Sequence, residues 1–177
     1  LNFEDRYRNA IAYNGLGLRI AAVSGADVHG PDEVARTRRR LGPLGKLVAP
    51  SAQGGRISEW EAVTLVAAGK PRLENVLAAV RARRTVATFG LSDLRLSCDG
   101  LGEVRRERTA VLRLYLSRPV ALVRLWREGK LAREWPKVHA VHYEEEIRDP
   151  TSFSFSIEEG IRRAQTSGIW YEPGGAQ

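Results

Sequence analysis

The sequence has 177 residues but no methionine and only one cysteine, Cys98. A single cysteine cannot form a disulfide within the chain, which excludes a secreted scaffold held together by internal disulfides. The sequence also lacks a run of about 18 consecutive apolar residues and a basic-then-apolar leader pattern at its start. We therefore expect a cytoplasmic protein with no membrane-spanning helix and no membrane partner.

The lack of methionine includes the first position, where Leu1 stands next to a predicted helix over residues 3–13. A gene does not normally start in this way. The sequence therefore predicts a fragment, or a gene whose upstream portion is missing. Hydrophobic residues make up 43% of the sequence, which is enough to build a packed core.

Histidine is also scarce, with three residues in the sequence, but His29 stands two positions after Asp27 at the end of an apolar run over residues 18–26. The run predicts a buried strand, and side chains two residues apart in a strand point the same way. A carboxylate oxygen beside an imidazole nitrogen suits zinc, iron or manganese. The alternative is a turn in which Asp27 caps a helix that begins near Pro31.

The stretch Gly25-Ala26-Asp27-Val28-His29 also carries a family resemblance. A helix, a glycine-containing turn, a strand and then Asp-x-His resemble the last strand of the PHP (polymerase and histidinol phosphatase) superfamily, in which Gly-Ser-Asp-x-His supplies the final metal ligands. Ala26 stands where the family has serine, and both ligand types are kept. The resemblance implies that Asp27 and His29 bind a divalent metal, which would be zinc, manganese or iron.

The resemblance implies an incomplete site as well. A PHP site begins with a His-x-His pair near the first strand, and this sequence contains no such pair. We therefore expect the C-terminal part of a metal-dependent phosphoesterase or related hydrolase, whose substrate is a small phosphoester or ester. The metal is expected only in the complete barrel, and this chain alone is expected to lack catalytic activity.

The predicted fold class is α+β, with the terminal βα unit of a PHP-type (β/α)7 barrel followed by a mostly antiparallel β-sandwich. Residues 1–45 are predicted to form the last βα unit, and residues 46–90 a connecting loop and a helix. Residues 91–177 are predicted to form the sandwich, because short alternating segments are separated by turn signals.

Local patterns support this division. Near the end of the second segment, apolar residues recur at the spacing of a helix, at Leu73, Val76, Leu77 and Val80. In the third segment, two turn dipeptides separate predicted strands, Asp99-Gly100 and Glu128-Gly129.

Two further stretches extend the resemblance to PHP hydrolases similar to carbaryl hydrolases, which carry a small β-sandwich after the barrel. Residues 82–90 resemble the helix end, the Ala-x-Arg-Arg-Thr-like stretch and the glycine that lead into that sandwich. Residues 166–170, Thr-Ser-Gly-Ile-Trp, resemble its last strand, with glycine in place of proline.

The chain is basic, with a formal net charge of +7 and a pI near 10.1. A cluster that could bind substrate phosphate through guanidinium groups consists of Arg38, Arg39, Arg40 and Lys46. The alternative for this cluster is a solvated helix end. A second hypothesis for the whole chain is a non-enzymatic β-sandwich binding module with a basic surface, which docks protein, carbohydrate or nucleic acid. Nucleic acid is a possible partner but is not favoured, because 21 acids accompany the 28 bases.

The remaining candidates for chemistry have ordinary explanations. His139 and His142 would share one face of a helix, but their surroundings are rich in strand-forming residues, which predicts ordinary strand histidines. Cys98 ends a predicted strand and is interpreted as a small buried apolar residue without a nucleophile's setting.

Overall fold

The computed structural model describes residues 11, 19, 21–23, 62–91 and 93–174. The helix and strands with bounds in this part of the chain are, in order, β1 (Ala62–Val66), α1 (Leu73–Arg81), β2 (Thr85–Phe89), β3 (Leu96–Cys98), β4 (Val104–Arg105), β5 (Thr109–Arg127), β6 (Lys130–Glu146), β7 (Thr151–Glu159), β8 (Arg162–Thr166) and β9 (Ile169–Tyr171). The described chain is therefore mostly strand. No helix within it is long and apolar enough to cross a membrane.

All nine strands belong to one connected sheet, whose main path runs β1-β2-β8-β7-β5-β3. Strand β6 pairs with β5, and β9 pairs with both β7 and β4. Every pairing is antiparallel except that of β4 with β9, which is parallel. Because β6 follows nearly the whole length of β5, strands β3 and β7 must share the opposite edge of β5.

The predicted fold class is wrong. Residues 46–90 were predicted to form a connecting loop and a helix, but their described part, residues 62–90, contributes β1 and β2 to the same sheet as the later strands. Strand β2 pairs with β8 in a register that includes Val86 opposite Thr166. The described residues thus form a sheet-rich fold rather than a barrel unit followed by a sandwich. Local pattern could not reveal a pairing between strands about 80 residues apart in sequence.

The beginning of the predicted metal-ligand strand is also not a strand in the structure. Arg19 and residues 21–23 have no regular secondary structure, although Ala22 is buried. The end of that predicted strand, from residue 24 onward, lies outside the described residues. Ile11, within the predicted first helix, is helical and buried.

Several local predictions are confirmed. Helix α1 begins at Leu73, where the helical spacing begins, and the turns at residues 99–100 and 128–129 are present with positive φ at Gly100, Glu128 and Gly129. Strand β5 joins two strands that were predicted separately, with a register irregularity against β6 between Tyr115 and Val120. The alternating pattern therefore predicts where strands lie better than where they begin and end.

The core forms where the inward-facing side chains of β5 meet those of β7 and β9. Leu112 and Leu125, from the two halves of β5, are fully buried in the same cluster as Phe155. Phe153 and Tyr171 pack edge to face, with ring centroids 5.8 Å apart. Each such side chain contributes roughly 1.5–3 kcal/mol on burial, so this cluster is the main source of the sheet's stability.

The turn after α1 is fastened to the loop between β3 and β4. Arg83 has a φ of 58° and donates hydrogen bonds of 3.3 and 3.2 Å to the carbonyl oxygen of Gly102. Its guanidinium carbon lies 5.4 Å from the centroid of the Trp170 ring, a cation–π contact. Gly102 has a φ of 80°, and a Cβ there would collide with the carbonyl oxygen of Ala82. Glycine is therefore required at this contact.

We predict that Gly102→Ala destabilises the chain more than Gly160→Ala. Both glycines have positive φ, but a Cβ at Gly160 would meet no atom within 4 Å. The control should therefore lose only the conformational cost of roughly 1–2 kcal/mol, whereas Gly102→Ala must also displace backbone. Urea unfolding of both variants measures the difference. Equal losses in the two variants would contradict the close packing at Gly102.

Candidate functional site

The six residues that the sequence predicts for metal or substrate binding lie outside the described residues. They are Asp27 and His29 for the metal, and Arg38, Arg39, Arg40 and Lys46 for the substrate anion. Their mutual arrangement therefore stays a prediction. The structure does describe the approach to Asp27, because residues 19 and 21–23 come just before it in the chain.

This approach segment lies against the sheet through two polar contacts. The backbone N–H of Ala22 donates a buried hydrogen bond of 2.8 Å to Oγ of Ser167. Three residues earlier, Arg19 forms an ion pair with Glu172. From Arg19 to Ala22 the residue numbers rise, while those of their partners fall from Glu172 to Ser167. The segment therefore runs antiparallel to residues 167–172. The segment therefore has a defined direction and position on the sheet.

Ser167 is the polar centre of this contact. It lies in the short connection between β8 and β9 and is fully buried. Its Oγ is 2.9 Å from Oγ1 of Thr85, and its backbone N–H donates to the carbonyl oxygen of Thr85 at 3.0 Å. Thr85 is the first residue of β2. One buried serine thus joins the approach segment, the β8–β9 connection and β2.

A cleft of about 200 Å³ opens beside the ion pair between Arg19 and Glu172. Its lining consists of Arg19, Glu128, Pro150, Thr151, Ser152, Trp170, Tyr171 and Glu172. The Nε1 group of Trp170 is buried and has no hydrogen-bond partner among the residues that the structure describes. Arg19 and Glu172 pair with each other. The ion pair therefore holds two chain segments together rather than offering a free charge to a ligand.

The two histidines of β6 are exposed, in agreement with the prediction of ordinary strand histidines. Nε2 of His142 lies 2.9 Å from a carboxylate oxygen of Glu144, and the side chains of both residues are more than half exposed. Within the described part of the chain, no group of three or more histidine, cysteine, aspartate or glutamate side chains is arranged to hold a metal ion.

Glu158 is a buried carboxylate that the sequence analysis did not single out. It forms ion pairs with Arg124 of β5 and, at 3.2 Å, with Arg163 of β8. Arg124 also pairs with Glu134 of β6. Two guanidinium groups therefore bind this carboxylate, which makes it a cross-strand link rather than a general acid or base. No local sequence signal reveals it, because its partners come from other strands.

The outer face of α1 combines exposed leucines with cations. Leu73 is 73% exposed and Leu77 is 44% exposed, and the two lie one turn apart on the same face. Four exposed cations lie on or beside the helix, Lys70, Arg72, Arg81 and Arg84. None of them has an ion-pair partner among the described residues, in contrast to most arginines of β5. This surface, which we call the α1 face, is both apolar and positively charged.

No family model and no curated protein matches this chain. Among solved structures, it is similar to a Jonesia denitrificans lytic polysaccharide monooxygenase studied by neutron crystallography, with 8% sequence identity and a TM-score of 0.29. The similarity covers 38% of this chain and 54% of that protein, so the chain spans about half of its length. A likeness at this level identifies neither a family nor a function.

Cys98 has no nucleophilic setting. It packs against the core cluster, and burial, with a smaller effect from the neighbouring Asp99 carboxylate, raises the pKa of its thiol to about 12.

We predict that the folded protein reacts with the disulfide reagent DTNB at pH 8 at least a hundred times more slowly than the protein in guanidinium chloride. The thiol of the unfolded chain has a pKa near 8.5, more than three units lower than in the folded protein. Equal rates would show that Cys98 is an accessible thiolate.

Proposed function

We propose that this chain is part of a PHP-type metal-dependent hydrolase that acts on a phosphoester or related ester, with Asp27 and His29 as two of the metal ligands. In this proposal, the sheet supports the segment that leads to the ligands and does not supply the reacting groups. The observation that carries the proposal is the Gly-Ala-Asp-Val-His stretch of residues 25–29, which offers a carboxylate and an imidazole two residues apart. The nearest described contact is the buried hydrogen bond from Ala22 to Ser167, which anchors the chain five residues before Asp27, within about 18 Å even for a fully extended connection.

The chemistry of the donor set fits the metal. One carboxylate oxygen and one imidazole nitrogen are ligands that zinc, manganese and iron accept. A catalytic zinc site takes three protein ligands and a water, so Asp27 and His29 need partners from elsewhere. When bound, the metal would activate a water for attack on the ester. The residues of this chain would hold the metal and fix the position of the segment that bears its ligands.

The proposal predicts weak Mn²⁺ binding by the 177-residue chain that depends on both ligands, without hydrolysis of p-nitrophenyl phosphate. Asp27→Ala and His29→Ala should each reduce the Mn²⁺ affinity at least tenfold, because each removes one of two donors. His142→Ala is the matched control. It should leave the Mn²⁺ affinity unchanged, because His142 lies on β6 and is not one of the two proposed ligands. Water proton relaxation during a Mn²⁺ titration measures weak binding directly.

Two results would contradict the proposal. The same Mn²⁺ affinity in all four proteins would remove Asp27 and His29 as ligands. Tight stoichiometric metal binding with rapid hydrolysis would show that the chain carries a complete site of a different kind.

A second candidate function, a non-enzymatic binding module, is favoured by the α1 face. Cations without ion-pair partners in the described part of the chain surround exposed leucines and would provide a surface for an anionic partner. The chain's net charge of +7 acts in the same direction. In this candidate, the sheet would again act as a support. The bound molecule would contact α1 rather than a metal held by Asp27 and His29.

This candidate predicts salt-dependent binding of a fluorescein-labelled single-stranded DNA 20-mer through the α1 face. Arg81→Glu with Arg84→Glu should weaken binding at 50 mM salt at least tenfold, because anionic ligands are held mainly by cation contacts. The matched control is Arg106→Glu with Arg108→Glu, which changes the net charge equally outside α1. Fluorescence anisotropy measures both. Equal losses would attribute binding to net charge and reject the α1 face.

A further inference from the structure

We propose that residues 138–146 of β6 form a docking edge for an extended basic segment of a partner protein, which adds to the sheet as an antiparallel strand. This inference goes beyond both proposed functions, because it uses neither Asp27 and His29 nor the α1 face. Three features of this stretch, which we call the β6 edge, support it: free backbone groups, an uninterrupted register and charge of one sign.

The β6 edge directs half of its backbone polar groups away from the sheet. The N–H of Asp99 donates to the carbonyl oxygen of Arg113 at 3.1 Å, so Arg113 of β5 turns its polar groups toward β3. Arg113 lies opposite His142, and the two therefore form a pair without hydrogen bonds between them. His142 thus points its N–H and C=O away from β5. Alternation gives the other even-numbered residues of the β6 edge the same direction.

These outward groups are open to a further strand. Within the described part of the chain, β6 pairs with β5 alone. The odd-numbered residues face β5, as Ile147 shows just beyond the strand, where its N–H donates to the carbonyl oxygen of Arg108 at 2.7 Å. The even-numbered residues from Ala140 to Glu146 are exposed. An extended segment could therefore form main-chain hydrogen bonds with them, as peptides do when they add a strand to an exposed sheet edge.

The other half of β6 is protected against strand addition, whereas the β6 edge is regular. Pro136 has no N–H to donate, and Lys137 has a φ of 52°. The pairing of this half with β5 also shifts register between Leu125 and Trp126. Prolines and irregularities of this kind commonly protect edge strands. Over residues 140–146, by contrast, the register with β5 is uninterrupted.

The charge of the β6 edge favours a basic partner. Residues 138–146 contain three glutamates and neither lysine nor arginine. The side chains of Glu144 and Glu146 are 58% and 70% exposed and lie on the same face of the strand. Glu144 is 2.9 Å from Nε2 of His142, and Glu146 is 3.6 Å from Arg148, whose side chain is 82% exposed. Both carboxylates therefore remain accessible to cations from an added strand.

A second copy of this chain fits the β6 edge less well than a basic segment does. Two such edges placed side by side would bring together three glutamates from each copy, with no lysine or arginine in either stretch. Like charges on neighbouring strands destabilise the pairing. The acids of the β6 edge therefore act against self-association while they attract a strand of opposite charge.

On its other face, the β6 edge offers apolar contacts to the partner. Val141 belongs to the buried core cluster, and Tyr143 packs against that cluster. Glu145, on the same face, is already paired with Arg127. Residues of the partner that alternate with its cations should therefore be apolar, because they would extend this layer of the core. The expected segment alternates basic and apolar residues.

The first test uses a fluorescein-labelled peptide of four Lys-Val repeats, with binding measured by fluorescence anisotropy at 50 mM salt. The peptide should bind, and Glu144→Gln with Glu146→Gln should weaken binding at least fivefold, because its lysines lose their carboxylate partners. Glu74→Gln with Glu128→Gln is the matched control. It makes the same change in net charge on α1 and at the β5–β6 turn, and it should leave the affinity within twofold.

The second test examines the backbone pairing without any change in the protein. In the antiparallel pair, the peptide residues opposite Glu144 and Glu146 are lysines, and their N–H groups point at β6. N-methylation of the lysine backbone nitrogens should therefore weaken binding at least tenfold. N-methylation of the valine nitrogens should have less than a threefold effect, because those N–H groups point away from β6. The two peptides carry the same charge and the same number of methyl groups.

Four results would overturn the inference. The unmodified peptide could fail to bind, or the two pairs of glutamine substitutions could weaken binding equally. Equal affinities for the two N-methylated peptides would reduce the contact to charge attraction without strand pairing. A chain that sediments as a dimer and does not bind the peptide would assign the β6 edge to a second copy instead.

Discussion

The pairing of β5 with its neighbours is the constraint on which the rest of the sheet depends. Strand β6 covers one edge of β5, while β3 and β7 divide the other edge between them. Strand β7 also pairs with β8 and β9, β8 pairs with β2, and β2 pairs with β1. Leu112 and Leu125 show the same dependence in the core, because both halves of β5 contribute to one buried cluster. A fault in β5 would therefore disturb both the pairing and the packing.

Strand β5 changes the face that it buries along its length. Its buried residues have even numbers up to Val120, as at Leu112, and odd numbers afterwards, at Val123 and Leu125. Side chains alternate along a strand with a period of two, so a regular strand would have exposed one of these sets. The change comes after the register irregularity against β6, which lies between Tyr115 and Val120. One long strand thereby contributes to both halves of the core.

Polar contacts hold two segments that are not strands against the sheet. Arg83 fastens the turn after α1 to Gly102, and Ser167 fastens the segment that precedes Asp27. Both use backbone groups that would be costly to bury without a partner. The proposed function depends on the second contact, because it links the sheet to the predicted metal ligands. The α1 face lies outside both contacts, and the second candidate function proposes it as a separate binding surface.

The sequence alone determined the features that depend on near neighbours. Helical spacing located α1, turn dipeptides located the tips at residues 99–100 and 128–129, and the position of Cys98 at the end of a predicted strand indicated an inert thiol. Of the candidate site, the sequence determined only the donor types at Asp27 and His29. The fold class required the tertiary structure, because β2 pairs with β8, far along the chain. The contact of Ser167 with Ala22 required it as well, because only folding brings this serine, far along the chain, against the buried N–H of Ala22.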